Sequence, residues 1–163
     1  MKIQTVDNYL PNEIFLNMKE IFLNTSKGFP WYLSNIVGGP DDKSDFYFFH
    51  ILYANQKQES RFFESLVHPL IGRQHFTYLY RARCNLYTKK SKKIYTKYHT
   101  DDTNDHKVLL YNITTNNGFT MFENGQKILS VENQAILFDG KIKHRSVAQT
   151  DKDLRININI NYI

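Results

Sequence analysis

The sequence predicts a mainly β protein, a β-sandwich or jelly roll backed by N-terminal helices. Tyrosine and phenylalanine are abundant, at 11 and 12 residues, while there are only 7 glycines and 4 prolines, a balance that favours strands. Helical periodicity is confined to the first 75 residues, and about eight short strand-like segments separated by turn signals follow. Helices that precede such a series of strands indicate a layered fold with one core.

Length and composition indicate one domain, residues 1–163, with supporting elements in 1–75 and the β core in 76–163. A hydrophobic content of 41% is typical of a globular chain, and the net charge of +5 permits an anionic partner without requiring one. Cys84 is the only cysteine, so we expect a reducing, cytoplasmic setting. No signal peptide or membrane span is recognisable. Frequent Asn, Lys and Ile fit an AT-rich genome, a viral one included.

The first helix is predicted over residues 13–24, with Asn12 as a candidate N-cap. Its apolar residues recur at the spacing of one helical face, which predicts packing on a sheet: Ile14, Phe15, Met18, Ile21 and Phe22. The other elements predicted in this half are strands at 3–6, 31–37 and 45–54, a loop at 38–42 and a helix at 60–71. We interpret the histidines here as structural or surface residues, because their spacing is not that of metal ligands: His50, His68 and His75.

The second half is predicted to be almost entirely strand, at 76–88, 95–101, 107–114, 120–122, 126–131, 134–138, 145–148 and 154–163. Turn signals separate several of these segments: Asn116-Asn117-Gly118, Asn124-Gly125 and Asp139-Gly140.

The last strand alternates between two faces. One face carries isoleucines at 156, 158 and 160, and the other carries Arg155 and then asparagines at 157, 159 and 161. A polar face with a single arginine is unusual in a closed core, and it predicts the wall of a ligand pocket. Arg155 suits a carboxylate because its planar donors bind both oxygens; a surface ion pair is the alternative.

His99 and Asp101 are two residues apart, so on a strand both side chains leave the same face. His144 follows Asp101 by 43 residues, and Arg155 follows His144 by 11. Two imidazoles and one carboxylate on a β scaffold predict a facial triad for Fe(II) with open coordination positions. The alternatives are a solvated strand end and a capped loop histidine. His106 lies in a predicted loop, and we expect it to be peripheral.

Residues 81–162 resemble the iron- and 2-oxoglutarate-dependent dioxygenases, particularly the prolyl 4-hydroxylase-like branch. Five ordered segments carry the resemblance: Asn85-Leu86-Tyr87, His99-Thr100-Asp101, Gly118-Phe119-Thr120-Met121-Phe122, Phe138-Asp139-Gly140 before His144, and Arg155-Ile156-Asn157. The resemblance implies a double-stranded β-helix with iron and 2-oxoglutarate at its mouth.

The resemblance also implies roles for residues. His99, Asp101 and His144 would hold Fe(II), the catalytic metal, and Arg155 would anchor 2-oxoglutarate with Tyr87, Asn157 and Asn85 nearby. O₂ would be the oxidant, ascorbate is a further candidate, and the implied activity is hydroxylation of a prolyl or other peptide residue. Tyr87 has the alternative of an ordinary strand aromatic. The family often has Ser or Thr at position 157.

Two other readings of the function stay open. A lysine-rich stretch consists of Lys89, Lys90, Lys92, Lys93 and Lys97; it is either a solvated loop or a basic lip that attracts an acidic peptide, a nucleotide or a nucleic acid. Demethylases of the AlkB type carry a second arginine where this chain has Asn161, which counts against one nucleic-acid branch. The chain could also be a dioxygenase of free small molecules, or a non-catalytic jelly-roll binding or virion protein.

Overall fold

A computed structural model describes residues 2–36, 42–43 and 45–163. The helices of the described residues are α1 Asn12–Leu23, a 3₁₀ turn Thr25–Lys27, α2 Phe63–Leu66 and α3 His68–Ile71. The strands are β1 Gln4–Val6, β2 Tyr32–Ser34, β3 Tyr47–Ala54, β4 Lys57–Gln58, β5 Leu79–Thr88, β6 Lys107–Asn112, β7 Asn116–Phe122, β8 Lys127–Ser130, β9 Gln134–Asp139, β10 His144–Val147 and β11 Leu154–Tyr162. The prediction of a mainly β fold with N-terminal helices is confirmed.

The strands form two antiparallel sheets. The larger has the order β1-β9-β6-β11-β5-β3-β2, with β4 added beside β3, and the smaller has the order β10-β7-β8. Strands from both halves of the sequence therefore share one sheet. β11 lies at its centre, hydrogen-bonded to β5 on one side and to β6 on the other.

The two faces of the larger sheet are covered differently. Ile156, Ile158 and Ile160 point into a core that α1, α2 and α3 complete. The opposite face meets the smaller sheet, where a second apolar cluster is formed by Val108, Leu110, Phe122, Ile128, Ile136 and Phe138. Arg155, Asn157 and Asn159 lie on this opposite face, as alternation along a strand requires. The predicted two-faced pattern of the last strand is confirmed.

Helix α1 follows its prediction except at its start. Asn12 is its first residue rather than its cap, and Pro11 precedes it without a side-chain cap. Phe15 and Met18 are buried, and two further members of the predicted apolar face pack on the core: Ile21 and Phe22. Ile14 is 40% exposed, so its predicted place in the apolar stripe is wrong.

Asn133 joins the N-terminal segment to the sheets. Its Oδ1 accepts hydrogen bonds from the Leu10 amide at 2.9 Å and from the Tyr111 hydroxyl at 2.7 Å, and its Nδ2 donates to the Leu10 carbonyl at 2.9 Å. Its backbone has φ 55°, a conformation that asparagine tolerates better than most residues. One buried side chain thus fixes the chain entry to α1.

The predicted helix over 60–71 is instead two single turns, α2 and α3. Pro69 has no amide hydrogen to donate to the Ser65 carbonyl, so the helical ladder breaks there. Strand β2 is shorter than its prediction, and β3 begins at Tyr47 rather than at residue 45. Val37 and most of the predicted 38–42 loop lie outside the described residues.

Two predictions in the second half are wrong. Residues 95–101 form no strand; they make only single antiparallel bridges, Tyr95 with Val147 and His99 with His144. The segment 116–118 belongs to strand β7 rather than to a turn, and its irregular pairing is supported by the Asn116 Oδ1, which accepts a 3.0 Å bond from the Gly118 amide. Predicted turns at 124–125 and 139–140 are present.

Among the described residues, no helix combines the length and the apolarity needed to cross a membrane. Cys84 is a buried free thiol on β5.

Candidate metal and cosubstrate site

His99 and His144 are brought together by their backbones. Each amide donates to the other residue's carbonyl at 3.0 Å, and the ring centroids are 4.8 Å apart. Each Nδ1 lies 3.2 Å from a carbonyl oxygen two residues earlier, that of Lys97 or of Ile142. These contacts favour a proton on Nδ1 and leave both Nε2 lone pairs for a metal.

Asp101 completes the group. One ligand atom from each of His99, Asp101 and His144 lies within 4.8 Å of the others. The Asp101 side chain is 4% exposed, accepts a 2.9 Å hydrogen bond from Asn159 Nδ2, and lies 3.6 Å from the Arg81 guanidinium. The predicted triad is therefore a spatial cluster with a carboxylate already oriented by its neighbours.

The protonation states of the cluster suit metal binding. Burial alone would raise the pKa of the Asp101 carboxyl, but the charges of His144 and Arg81 outweigh burial and hold the pKa at about 2. Burial lowers the pKa of the His144 imidazole, against the opposing pull of Asp101. A carboxylate and a neutral imidazole are the forms that coordinate metals.

Arg155 is a buried cation, 1% exposed. Its Nη1 donates to the Ser146 hydroxyl at 2.9 Å and to the Val147 carbonyl at 3.1 Å. Its Nε is buried without a partner, and within the described part of the chain no carboxylate forms an ion pair with it. Burial lowers the pKa of the guanidinium, which nevertheless stays charged at neutral pH. The alternative of a surface ion pair does not fit this environment.

Gly118 makes room for the arginine. A Cβ at this position would come 3.2 Å from Arg155 Cδ and 3.1 Å from the Val147 carbonyl oxygen. Both distances are tighter than ordinary van der Waals contacts. The glycine of the resembling Gly-x-Thr-x-Phe segment therefore lets β7 approach the arginine closely.

Three other predicted residues lie on the same polar row. Tyr87 is paired with Arg155 across β5 and β11, and its ring centroid lies 5.4 Å from the guanidinium carbon. Burial raises the pKa of its phenol, which keeps the hydroxyl protonated. Two residues further along the same two strands, Asn85 is paired with Asn157, and its Nδ2 donates to the Asn157 Oδ1 at 2.9 Å.

All the predicted site residues line one cleft between the sheets: Asn85, Tyr87, His99, Asp101, His144, Arg155 and Asn157. The sequence prediction missed Arg81 and Asn159, which hold Asp101, and Ser146, which holds Arg155. The sequence did contain a signal for the arginines, because Arg81 and Arg83 lie at the same two-residue spacing as Asn85 and Tyr87 and therefore on the same face of β5. Without the β5–β11 register, nothing in the sequence placed Arg83 opposite Asn159 and Arg81 opposite Asn161.

The lysine-rich stretch is not uniform. Lys90 forms a 2.6 Å ion pair with Asp45, with both side chains largely buried, and its Nζ lies 4.0 Å from the Phe46 ring centroid. Lys93 Nζ donates to the Asn117 Oδ1 at 2.8 Å. The remaining three are exposed: Lys89, Lys92 and Lys97. Lys90 and Lys93 therefore serve the fold, which corrects the idea of one basic lip.

The other histidines lie outside the cluster. His106 lies in the predicted loop but is buried there, at 5% exposed; its Nδ1 lies 2.7 Å from the Asn104 carbonyl oxygen, and its ring packs against Gly140. His50 bonds to Ser60 at 2.7 Å, and exposed His68 pairs with Glu64. These contacts are structural.

No protein-family model matches the sequence, and no curated protein matches it. Solved structures do match. The prolyl hydroxylase of Trichoplax adhaerens, solved with a peptide fragment of the hypoxia inducible factor oxygen degradation domain, aligns with 99% of this chain and 83% of its own length at TM-score 0.69 and 15% identity. The chain has the fold of the 2-oxoglutarate- and iron(II)-dependent oxygenases.

Two further neighbours show the breadth of the oxygenase fold. The viral collagen prolyl hydroxylase of Paramecium Bursaria Chlorella virus-1 aligns with 100% of this chain and with 90% of its own length, at TM-score 0.56 and 14% identity. A non-heme alpha-ketoglutarate-dependent carbocyclase from nogalamycin biosynthesis covers 98% and 78% at TM-score 0.66 and 11% identity. The predicted jelly roll is confirmed. These structural matches establish the oxygenase fold. At identities this low they do not identify a substrate.

Proposed function

We propose that this chain is an Fe(II)- and 2-oxoglutarate-dependent dioxygenase that hydroxylates a C–H bond, most simply on a prolyl or other peptide residue. One observation carries the proposal: a two-histidine, one-carboxylate cluster and a buried arginine, which none of the described carboxylates pairs with, line the same cleft of an oxygenase fold. We further propose that residues 1–163 act as one domain, since β3 and β5 pair directly.

The donor set fits ferrous iron. Imidazole and carboxylate ligands suit non-heme Fe(II), and three protein ligands leave positions open for other molecules. His99 and His144 would each offer Nε2, and Asp101 would offer one carboxylate oxygen. Asn159 and Arg81 hold that carboxylate from the larger sheet, which keeps the three ligands oriented.

Arg155 fits the distal carboxylate of 2-oxoglutarate. A buried guanidinium without an anion is costly, and a carboxylate would supply a two-pronged partner for its Nε and its other donors. Ser146 and the Val147 carbonyl fix the side chain, and the protonated Tyr87 hydroxyl is available on the neighbouring strand. Asn85 and Asn157, which bond to each other, would line the path between the arginine and the metal ligands.

Bound iron and 2-oxoglutarate would supply the oxidation, with O₂ as oxidant and loss of CO₂ as driving force. The chain would supply positioning and a water-poor cleft. The lowered pKa values of Asp101 and His144 favour their coordinating forms, and Arg155 would aim the cosubstrate toward the cluster. The wall of buried asparagines along β11 offers hydrogen bonds to bound groups without adding charge.

A peptide substrate is supported by the neighbours, since the Trichoplax protein is a prolyl hydroxylase solved with a peptide. A free small molecule is the second candidate, because the carbocyclase from nogalamycin biosynthesis aligns with this chain at a similar TM-score. A nucleic acid is less favoured, because two of the lysines that would contact it are committed to the fold.

The test is succinate formation from 2-oxoglutarate by the full chain with Fe(II), with and without prolyl peptides. We expect slow succinate release without substrate and faster release with a true substrate. The matched variant is Arg155→Ala, with exposed His75→Ala as the control. No succinate and no 2-oxoglutarate binding by the wild type would leave a non-catalytic jelly roll as the better reading.

A further inference from the structure

A second cationic position lies on the cleft wall, away from Arg155. Arg83 lies on the same face of β5 as Asn85 and Tyr87, and it is paired with Asn159 of β11. Its Nε is buried without a partner, and within residues 2–36, 42–43 and 45–163 its side chain forms no hydrogen bond or ion pair. The Tyr47 ring lies close to it, with its centroid 5.6 Å from the guanidinium carbon.

The cosubstrate carboxylate that Arg155 would hold lies away from Arg83. Arg155 and Asn159 are four residues apart on β11, which corresponds to about 13 Å along the strand. Asp101, bonded to Asn159, lies at the level of Arg83. Arg83 therefore lies beside the metal ligands, at the end of the cleft away from the distal carboxylate that Arg155 would hold.

Arg81 extends the cationic wall outward. It precedes Arg83 by two residues on the same face of β5, pairs with Asn161, and has a side chain that is 30% exposed. Its Nε is also buried without a partner, and its contact with Asp101 is long at 3.6 Å. Two neighbouring guanidinium groups repel each other, and Asp101 is the only described carboxylate recorded in an ion pair with either. Two cations therefore share one carboxylate, and that carboxylate is itself a candidate metal ligand.

The outer end of this row opens into a groove of about 350 Å³, lined by Asn55, Gln56, Tyr78, Tyr80, Arg81 and Asp102. Tyr78 and Tyr80 form an edge-to-face pair with centroids 4.8 Å apart. Aromatic rings with amide side chains suit a polypeptide segment. Asp102 beside Arg81 would repel a continuous phosphate backbone, so the mixed charge favours a peptide over a nucleic acid.

We infer that Arg83, supported by Arg81, binds an acidic side chain of the peptide substrate next to the residue that is hydroxylated. This inference deepens the proposed function and rests on it. A carboxylate would satisfy the free donors of Arg83 in a two-pronged contact, and it would offset the repulsion between the two arginines. The peptide would then continue along the groove beside Tyr78 and Tyr80.

The test compares three blocked peptides, Gly-Asp-Pro-Asp-Gly and the same sequence with Asn or Lys in place of both Asp residues. Each is titrated calorimetrically, without O₂, into the full chain with Mn(II) and 2-oxoglutarate. We expect the Asp peptide to bind at least tenfold more tightly than the Asn peptide to the wild type. The difference should fall below threefold in Arg83→Gln, and Arg83→Glu should prefer the Lys peptide.

The matched control is Arg73→Gln, since Arg73 also lies over a tyrosine ring, that of Tyr9, but does not line the cleft. It should keep the tenfold preference. Equal binding of the Asp and Asn peptides, no binding of any peptide, or a preference that survives in both folded Arg83 variants would overturn the inference. So would an oligothymidylate that binds more tightly than the Asp peptide and depends on Arg83.

Titration of 2-oxoglutarate in the same samples reports on the proposed function alone. If 2-oxoglutarate binds and the Asp preference is missing, only the peptide subsite is wrong. If 2-oxoglutarate fails to bind while the Arg83-dependent Asp preference is present, the oxygenase proposal fails and the acidic-peptide subsite stands.

Discussion

Asn159 on β11 donates a 2.9 Å hydrogen bond to the carboxylate of Asp101. The same strand carries Arg155 four residues earlier. One central strand therefore orients both the candidate metal carboxylate and the candidate cosubstrate anchor, and a shift of its register would disturb both. Four predictions follow from the contacts around this strand and at the edges of the fold.

The first concerns the metal ligands. His99→Ala or Asp101→Ala should abolish stoichiometric Fe(II) binding, because two remaining ligands cannot hold a labile ion in place of three. Metal content after anaerobic dialysis is the measurement, with circular dichroism to check the fold. His75→Ala, at an exposed histidine outside the cleft, is the control. Full metal occupancy in both ligand variants would rule out the triad.

The second concerns Arg155. Arg155→Ala should weaken 2-oxoglutarate binding by about 2–5 kcal/mol, as for other buried charged contacts. Arg155→Lys should be intermediate, because the charge is kept while the planar fork is lost. Affinity is measured with Fe(II) in the absence of O₂, and metal affinity should stay near that of the wild type. A change in 2-oxoglutarate affinity of less than about twofold, far below the tenfold of 1.4 kcal/mol, would remove the anchor assignment.

The third prediction distinguishes the ion-paired Lys90 from the exposed Lys89 and Lys92. Lys90→Gln should lower the free energy of unfolding by about 1–3 kcal/mol, because it leaves the largely buried Asp45 carboxylate without its charged partner. The double variant Lys89→Gln, Lys92→Gln changes exposed residues and should stay within about 0.5 kcal/mol per position. Urea denaturation measures both. If the double variant also flattens the salt dependence of binding to an anionic substrate, the exposed lysines attract that substrate; an unchanged salt slope would make them a plain solvated surface.

The fourth concerns Asn133. Asn133→Ala should destabilise the protein by about 2–4 kcal/mol, since it removes three buried hydrogen bonds and places alanine at positive φ. Asn133→Gly should cost less, because glycine adopts that backbone conformation freely. Thermal and denaturant unfolding give the order of the two variants. Equal stabilities would show that the backbone conformation carries no cost, and wild-type stability in both would contradict the role of Asn133 in holding the N-terminal segment.

The site was more predictable than the elements that carry it. The alternation of residues 154–163 identified the central strand, because a sheet with two differently covered faces imposes a period of two on its residues. The triad was found from residue chemistry and spacing. The prediction that His99 and Asp101 lie on a strand was wrong, since their segment pairs with β10 at single bridges only.

The remaining errors have local causes. Asn116-Asn117-Gly118 has turn composition, yet the Asn116 side chain satisfies the Gly118 amide within an irregular strand, so tertiary pairing overrides propensity. Lys90 and Lys93 read as a charge run, and only the fold reveals their partners, Asp45 and Asn117. Contacts between residues distant in sequence leave no periodic signal in a single chain.

The central position of β11 also has a consequence for biosynthesis. Strands β5 and β6 are made early but share no hydrogen bonds with each other, so each exposes a bare edge until residues 154–162 emerge from the ribosome. Such edges invite pairing with other chains, and the long-range insertion should be slow. Arg155 and Asn159 arrive with this same strand. We therefore expect nascent chains to pass through an aggregation-prone stage before Arg155 and Asn159 can take their places in the candidate site.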